Sequence, residues 1–204
     1  MDPSYVILLS GGLDSGSLLF WAIKQNYNLL PLYVNYGQVP FPGEYMAVQN
    51  LLKSANLPII MPLDVNQIST IGTGTLSNGL KDPIGNQYFP SRNLFLLTLA
   101  AMYAYTNKVS RILIGLIGDA SGILPDCSKE FIDKAEVLLQ VEYPHIKIET
   151  PFLNRSKISI VQEAIEYGLV PEATFCCNRL PNHHCWRCPS CIDRLRVLEA
   201  LKRI

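Results

Sequence analysis

No run of about 18 uncharged apolar residues occurs in the chain, which argues against a membrane-spanning helix. There is no excess of charge of either sign. The 204 residues carry 17 basic and 17 acidic side chains, a formal net charge of zero, so nothing draws the whole molecule to a nucleic-acid backbone or an anionic membrane. A nucleic-acid role would need a local basic patch, and the nearest candidate is "CIDRLRVLEALKRI". Its four basic residues, Arg194, Arg196, Lys202 and Arg203, read as the wet face of a last helix. Internal repeats and low-complexity tracts are missing, which argues against a solenoid or a tail. The opening "MDPS" lacks the basic region of a secretory signal, and the apolar run after it ends in glycines. These absences point to a cytoplasmic protein that binds neither nucleic acid nor membrane.

What is present is a core. Nearly half of the residues (49%) are apolar and only 17% are charged, enough for one domain over residues 1–204, with residues 170–204 as a smaller C-terminal segment. Short apolar runs alternate with amphipathic stretches. Strands are expected at Tyr5–Leu9, Leu29–Tyr36, Pro58–Val65, Arg111–Leu116 and Ile146–Thr150. Helices are expected at about Gly12–Gln25, Glu44–Ala55, Asn93–Lys108, Lys129–Glu142 and Ser156–Gly168, with another at the C-terminus. Gly168 is placed to stop its helix. This alternation predicts an α/β fold with a parallel sheet covered on both faces. Ligands of such sheets bind beyond the carboxyl ends of the strands. The Gly-, Ser- and Asn-rich stretch from Asn66 to Arg92 is too long for a plain connector and reads as a functional loop or a partly disordered one.

The first strand breaks into "LSGGLDSGS", Leu9 to Ser17, before the apolar pattern resumes at helical spacing. Gly11 and Gly12 let the backbone approach an anion, and the next helix aims its N-terminal N–H groups into the same space. Ser10 and Ser15 add hydroxyls. Asp14 suits such a place when it holds a cation or caps the turn. The string fits neither G-x-x-x-x-G-K-[ST] nor G-x-G-x-x-G.

Six cysteines are present, five of them within 16 residues. In a reducing compartment such crowding favours a metal over disulfides. Cys176, Cys185, Cys188 and Cys191 give C-x8-C-x2-C-x2-C, which suits a closed tetrahedral zinc site with a structural role. An iron–sulfur cluster is the lesser alternative. Cys177 adjoins Cys176 and offers a substitute ligand, and His183 and His184 are competitors. The simpler reading makes Cys177 and both histidines bystanders and Cys127 a small core residue.

The S-G-G-x-D-S string after an N-terminal strand resembles the signature of the PP-loop ATP pyrophosphatases. Together with "NYGQ", "FPSRNLFLLTLAAMYAY", "PDCSKEF", "IETPF" and the four cysteines, it makes the chain similar to the 7-cyano-7-deazaguanine synthase (QueC) family over nearly its whole length. The resemblance implies an adenine-nucleotide-hydrolase-like (HUP/PP-loop) three-layer sandwich with a five-stranded parallel sheet and a C-terminal zinc-binding segment. It also implies a homodimer using ATP, Mg2+ and Zn2+. The implied reaction turns 7-carboxy-7-deazaguanine and ammonia into the nitrile by way of an adenylated carboxylate and an amide. Asp14, Ser15, Lys157 and Arg92 are then the expected catalytic residues. Leu9, Ser10, Gly11, Gly12, Leu13, Asp14, Ser15, Gly16, Ser17, Tyr36, Gln38, Asn93, Asp119, Ser121 and Asp126 would bind nucleotide, and the four cysteines would hold zinc.

Three stretches depart from the family pattern. "NYGQVPFPGE" lacks the basic pair that usually follows Y-G-Q and gains two prolines. "DASGILPDC" is one residue longer, and Ser128 replaces an arginine. The phosphate loop is intact while positions near substrate differ. An alternative therefore keeps the adenylation but passes the acyl group to a protein amine, as in QueC-like phage-defence or protein-modification systems.

Overall fold

The computed structural model describes residues 4–72, 76, 89–117 and 124–202. Its centre is β1 (Tyr5–Leu8), four consecutive buried apolar residues. Strand β1 lies between β2 (Leu29–Leu32) and β5 (Arg111–Leu113), and β6 (Lys147–Glu149) extends the same parallel sheet beyond β5. A second parallel pair joins β3 (Val34–Asn35) to β4 (Leu63–Asp64). Tyr33 alone separates β2 from β3, and its carbonyl accepts the Leu63 N–H at 2.8 Å. One continuous path therefore pairs first with β1 and then with β4. In place of one five-stranded sheet there is a four-stranded parallel sheet with a two-stranded parallel pair beside it, the Leu29–Tyr36 stretch being divided between them and the Pro58–Val65 strand shortened to two residues.

Alternation along β1 builds the layers. Val6 and Leu8 face one cluster with Leu97, Ala100 and Ala104 of α3 (Arg92–Thr106) and Ile132 and Leu139 of α4 (Lys129–Gln140). Tyr5, Ile7 and Leu9 face the other. They meet Leu18 and Leu19 of α1 (Leu13–Lys24), Leu51 and Leu52 of α2 (Phe41–Ser54), and Ile160 of α5 (Lys157–Glu166). Each such side chain, fully buried, stabilises by roughly 1.5–3 kcal/mol. The last helix, α6, runs from Pro189 to Ala200. Among the described residues no helix is long and apolar enough to cross a membrane.

Local chemistry fixes the helix ends. The two extra prolines sit at the start of α2, with Pro40 as its N-cap and Pro42 in the first turn, where a missing N–H costs nothing. The helix therefore begins at Phe41, three residues before the expected Glu44. Ser128, in the place of the family's arginine, caps α4 by accepting the Phe131 N–H at 3.1 Å. Gly168, at φ +104°, follows α5 in a conformation that favours glycine. Most of the Asn66–Arg92 stretch lies outside the described residues. Its start forms a 3-10 turn at Asn66–Thr70, and Arg92 opens α3.

Candidate active site

Beyond the carboxyl end of β1 the chain turns sharply. Gly11 takes φ +76°, and a Cβ there would stand 2.6 Å from the Glu44 carbonyl oxygen. Its own carbonyl accepts the Phe175 N–H at 2.8 Å. Gly12 is the N-cap of α1 and supplies no side-chain cap, so the first-turn N–H groups and the positive end of the dipole are left to face a ligand. The Ser15 hydroxyl accepts the Ser10 N–H at 3.1 Å, lies 3.1 Å from the Ser10 hydroxyl, and reaches back to the Gly12 carbonyl at 3.3 Å. These bonds brace the loop in a shape suited to an anion.

Lys157, the first residue of α5, comes to this junction from the far end of the sequence. Its ammonium lies 2.9 and 3.2 Å from the two carboxylate oxygens of Asp14 and 2.5 Å from Asp193 of α6. Burial alone would depress the ammonium, but the two carboxylates outweigh it and hold the pKa well above the ordinary lysine range. Lys157 is therefore a permanent cation. As it stands, Asp14 faces that cation. A magnesium ion commonly takes one or two carboxylates together with substrate phosphates, and Asp14 offers one where phosphates would lie.

A cavity of about 400 Å³ opens over the junction, within the range of small-molecule sites. Of the residues expected to act there, Leu9, Ser10, Gly12, Leu13, Asp14, Ser15, Tyr36, Gln38, Arg92, Asn93 and Lys157 line it. Gly11, Gly16 and Ser17 do not. Gly11 supports α2, Gly16 packs against Leu51 and Leu169, and Ser17 is fully buried in the core. Asp126 is also away from the wall; its carbonyl accepts the Asn93 side-chain amide at 3.0 Å. Cys127, read as a core residue, is buried yet lines the cavity, and burial pushes its thiol up to about 11. Asp119 and Ser121 lie outside the described residues.

Sequence reasoning did not place Tyr33, Glu44, Asp193 or Arg194 on this wall. Glu44 projects from α2, and its Oε2 accepts from Gln38 Nε2 at 2.9 Å and from the Tyr33 hydroxyl at 3.1 Å. Burial raises its pKa despite these two donors and nearby Arg92. Asp193 is the second partner of Lys157. Arg194, expected on a wet face, is 4% exposed. It donates to the Thr174 hydroxyl at 2.5 Å and the Pro171 carbonyl at 2.6 Å.

The cysteine segment lies alongside. The sulfur atoms of Cys177, Cys185, Cys188 and Cys191 all fall within 4.8 Å of one another, with Cys185 and Cys191 4.0 Å apart. Four thiolates around zinc at about 2.3 Å would stand about 3.8 Å apart, so this donor set fits such an ion. The Cys188 N–H donates to Cys185 Sγ at 3.2 Å. Burial works to raise the Cys185 thiol, yet N–H groups of Arg187 and Cys188 and the neighbouring thiols bring it down to about 7. Such a thiol is readily ionised for a metal.

The first member of the set differs from the expectation. Cys177 joins the cluster, while Cys176 lines the cavity and packs against the cluster's edge beside Cys191. Cys177 is thus no bystander. The histidines stay outside the group: His184 packs between Phe175 and Trp186, and exposed His183 contacts Asn182. The segment also seats on α2, where the Gly43 N–H donates to the Pro181 carbonyl at 2.6 Å. A Cβ at Gly43 would stand 2.8 Å from the Phe175 ring.

The family profile described as "Queuosine biosynthesis protein QueC" matches residues 4–202. The chain is 32% identical over 202 residues to the 7-cyano-7-deazaguanine synthase 1 of Desulfitobacterium hafniense (strain Y51), covering 95% of this chain and 90% of the relative. It is 33% identical over 205 residues to the 7-cyano-7-deazaguanine synthase of Campylobacter curvus (strain 525.92), covering 95% and 92%. A 7-cyano-7-deazaguanine synthase of Pseudoalteromonas translucida (strain TAC 125) is 31% identical over 210 residues, covering 98% and 95%. With its profile matched almost end to end and relatives of this kind along its whole length, the chain belongs to the QueC family.

Proposed function

We propose that this protein is an ATP-dependent C–N ligase that converts 7-carboxy-7-deazaguanine and ammonia into 7-cyano-7-deazaguanine. The reading rests on one observation: the Ser10–Ser15 junction and the Lys157 ammonium meet on the wall of a single cavity. A carboxylate resists attack by ammonia until one of its oxygens belongs to a good leaving group. The substrate carboxylate attacks the α-phosphorus of ATP, and the bond to pyrophosphate breaks. Ammonia then displaces AMP and leaves an amide, and a second activation removes the amide oxygen to give the nitrile.

This chain's residues supply placement and charge. The N–H groups at the start of α1 and the Ser10 and Ser15 hydroxyls hold phosphate oxygens. Lys157 neutralises the departing pyrophosphate, and Arg92 provides a second cation on the wall. Magnesium, held by Asp14 with the phosphates, would offset charge in the same step. Zinc in the Cys177, Cys185, Cys188 and Cys191 set is structural, since four thiolates leave it no open position.

Incubating the protein with ATP, magnesium, ammonium and the 7-carboxy compound, and following products by mass, tests the reading. Nitrile formation with release of AMP and pyrophosphate is expected. Arrest at the amide would refute the second half-reaction. A protein adduct of the acyl group would favour a protein amine as the acceptor, the reading suggested by Val39 and Pro40 standing where the family has its basic pair.

A further inference from the structure

Three acids line the described cavity wall. Asp14 and Asp193 share Lys157. Glu44 differs, for among the described residues it makes no ion pair. Both of its hydrogen bonds fall on Oε2, from Gln38 and Tyr33. These donors are themselves fixed. Gln38, 3% exposed, accepts the Tyr36 N–H at 2.9 Å through Oε1, and its Nε2 reaches the Val34 carbonyl at 3.2 Å and the Tyr33 hydroxyl at 3.1 Å. Tyr33, 2% exposed, is stacked against Phe41 and Tyr45. The carboxylate is thus clamped through one oxygen, while Oε1 has no hydrogen bond among the described residues. A half-buried carboxylate so placed has acceptor capacity left for a donor from the cavity.

We propose that Glu44 is the specificity-determining residue for the ring of the deazaguanine acid, accepting hydrogen bonds from its N1–H and 2-amino groups. The inference rests on the function proposed above and names how that site reads its substrate. An ionised carboxylate only accepts. The 2-amino-6-oxo edge of a guanine-like ring offers two adjacent donors. Adenine is the other ring in the reaction, but it sets its amino group beside a ring nitrogen whose lone pair would face the carboxylate. The chemistry therefore selects the substrate ring over the nucleotide base. Burial already holds the Glu44 pKa up, and two donors arriving together would favour the ionised form.

Calorimetric titration measures the test. Wild type, Glu44→Gln and Glu44→Asp are each titrated with 7-carboxy-7-deazaguanine, with its analogue lacking the 2-amino group, and with a non-hydrolysable ATP analogue. The wild type is expected to favour the true acid by roughly 10- to 100-fold, as for a good paired contact to a base edge. Both variants should lose most of that preference and bind the ATP analogue within about twofold of wild type. Glutamine keeps an acceptor for Gln38 and Tyr33, and aspartate keeps the charge but withdraws it by a methylene, so the pair separates lost contact from lost fold.

Retention of the preference in Glu44→Gln overturns the inference, and so does a loss confined to the ATP analogue. Titration with 7-deazaguanine, which lacks the carboxylate, separates this from failure of the proposed reaction. If wild type binds that ring, Glu44→Gln does not, and no nitrile forms in turnover, the ring contact stands and the reaction is wrong. If wild type binds no 2-amino-6-oxo ring, the contact itself is refuted.

Discussion

Gly11 and Gly12 are neighbours in one motif, yet the structure predicts opposite consequences for adding a methyl group to each. At Gly11, φ is +76°, and the new Cβ would lie 2.6 Å from the Glu44 carbonyl oxygen and 3.0 Å from Ala47 Cβ. The left-handed conformation costs an L-residue roughly 1–2 kcal/mol. Forcing α2 away adds roughly 1–3 kcal/mol, as overpacking does. Restricting the unfolded chain returns only about 0.4–1 kcal/mol. Gly11→Ala should therefore destabilise by about 2–4 kcal/mol, or roughly 4–16 °C in Tm for a chain of this length.

At Gly12 the backbone is extended, with φ −78° and ψ 171°, and the new Cβ would meet only Ser10 Oγ at 3.5 Å and the Phe175 carbonyl at 3.7 Å. Stability should stay within about 0.5 kcal/mol, as for other substitutions free of a clash. The methyl would project where the first-turn N–H groups face the cavity, so nucleotide affinity should fall about tenfold, roughly 1.4 kcal/mol. Differential scanning calorimetry of the metal-loaded protein, paired with titration of a fluorescent ATP analogue, measures both quantities. Equal Tm losses in the two variants, or a Gly11→Ala protein as stable as wild type, would refute the division of labour between the glycines.

Other predictions follow from the same contacts. Cys177→Ser should lower bound zinc well below one equivalent by atomic absorption, while Cys176→Ser keeps the ion; the reverse result would restore Cys176 as the ligand. Replacing Lys157 with glutamine should slow pyrophosphate release by roughly 100- to 1000-fold, the scale of one lost charge-stabilising donor, and a change under tenfold would remove it from that step. The pKa of Glu44 is raised on folding, so its protonated form favours the native state, and that stability is lost as pH rises through the folded value. Glu44→Gln should therefore match wild type in Tm near pH 4 and exceed it at pH 8, whereas a deficit at pH 8 would contradict the buried-acid assignment. Stripping the metal with a chelator should weaken binding of the ATP analogue before the sheet unfolds by circular dichroism, because α6 carries both Cys191 and Asp193; unchanged affinity would break that link.

The phosphate junction was legible because its chemistry is local. Two glycines, two hydroxyls and a helix start fall within six residues, and no distant partner is needed to recognise them. The central strand was equally open, since a buried parallel strand announces itself as an unbroken apolar run such as "YVIL", whereas β4 is two exposed residues and leaves a weaker signal. In the sequence Glu44 reads only as the start of a helix, because its meeting with Gln38 and Tyr33 depends on the angle at which α2 crosses the end of β3. Composition and spacing do not encode that angle. Cys176 and Cys177 both pack at the cluster, so spacing alone does not say which sulfur completes the set. Arg194 did leave a signal: Cys191, Arg194, Val197 and Leu198 are buried at helical spacing, so the arginine sits on the apolar stripe and not on the wet face assigned to it.

That stripe ties the thiol cluster to the cavity wall. In the opening turns of α6, Cys191 turns to the thiolate cluster, Asp193 to Lys157, and Arg194 to Thr174 and Pro171. Phe175, next to Thr174, donates its N–H to Gly11 in the phosphate junction. Three consecutive functions on one short helix demand a fixed rotation about its axis, and 3.6 residues per turn makes any slip move all three together. The net hydrophobic contribution of the segment is small, since its own cluster is built mainly from cysteines with Ala47 and Phe175. A metal held by these four cysteines would supply rigidity that so little apolar area does not. With a metal bound, the four cysteines would fix the start of α6, and the helix in turn holds Asp193 against the lysine that the proposed chemistry requires.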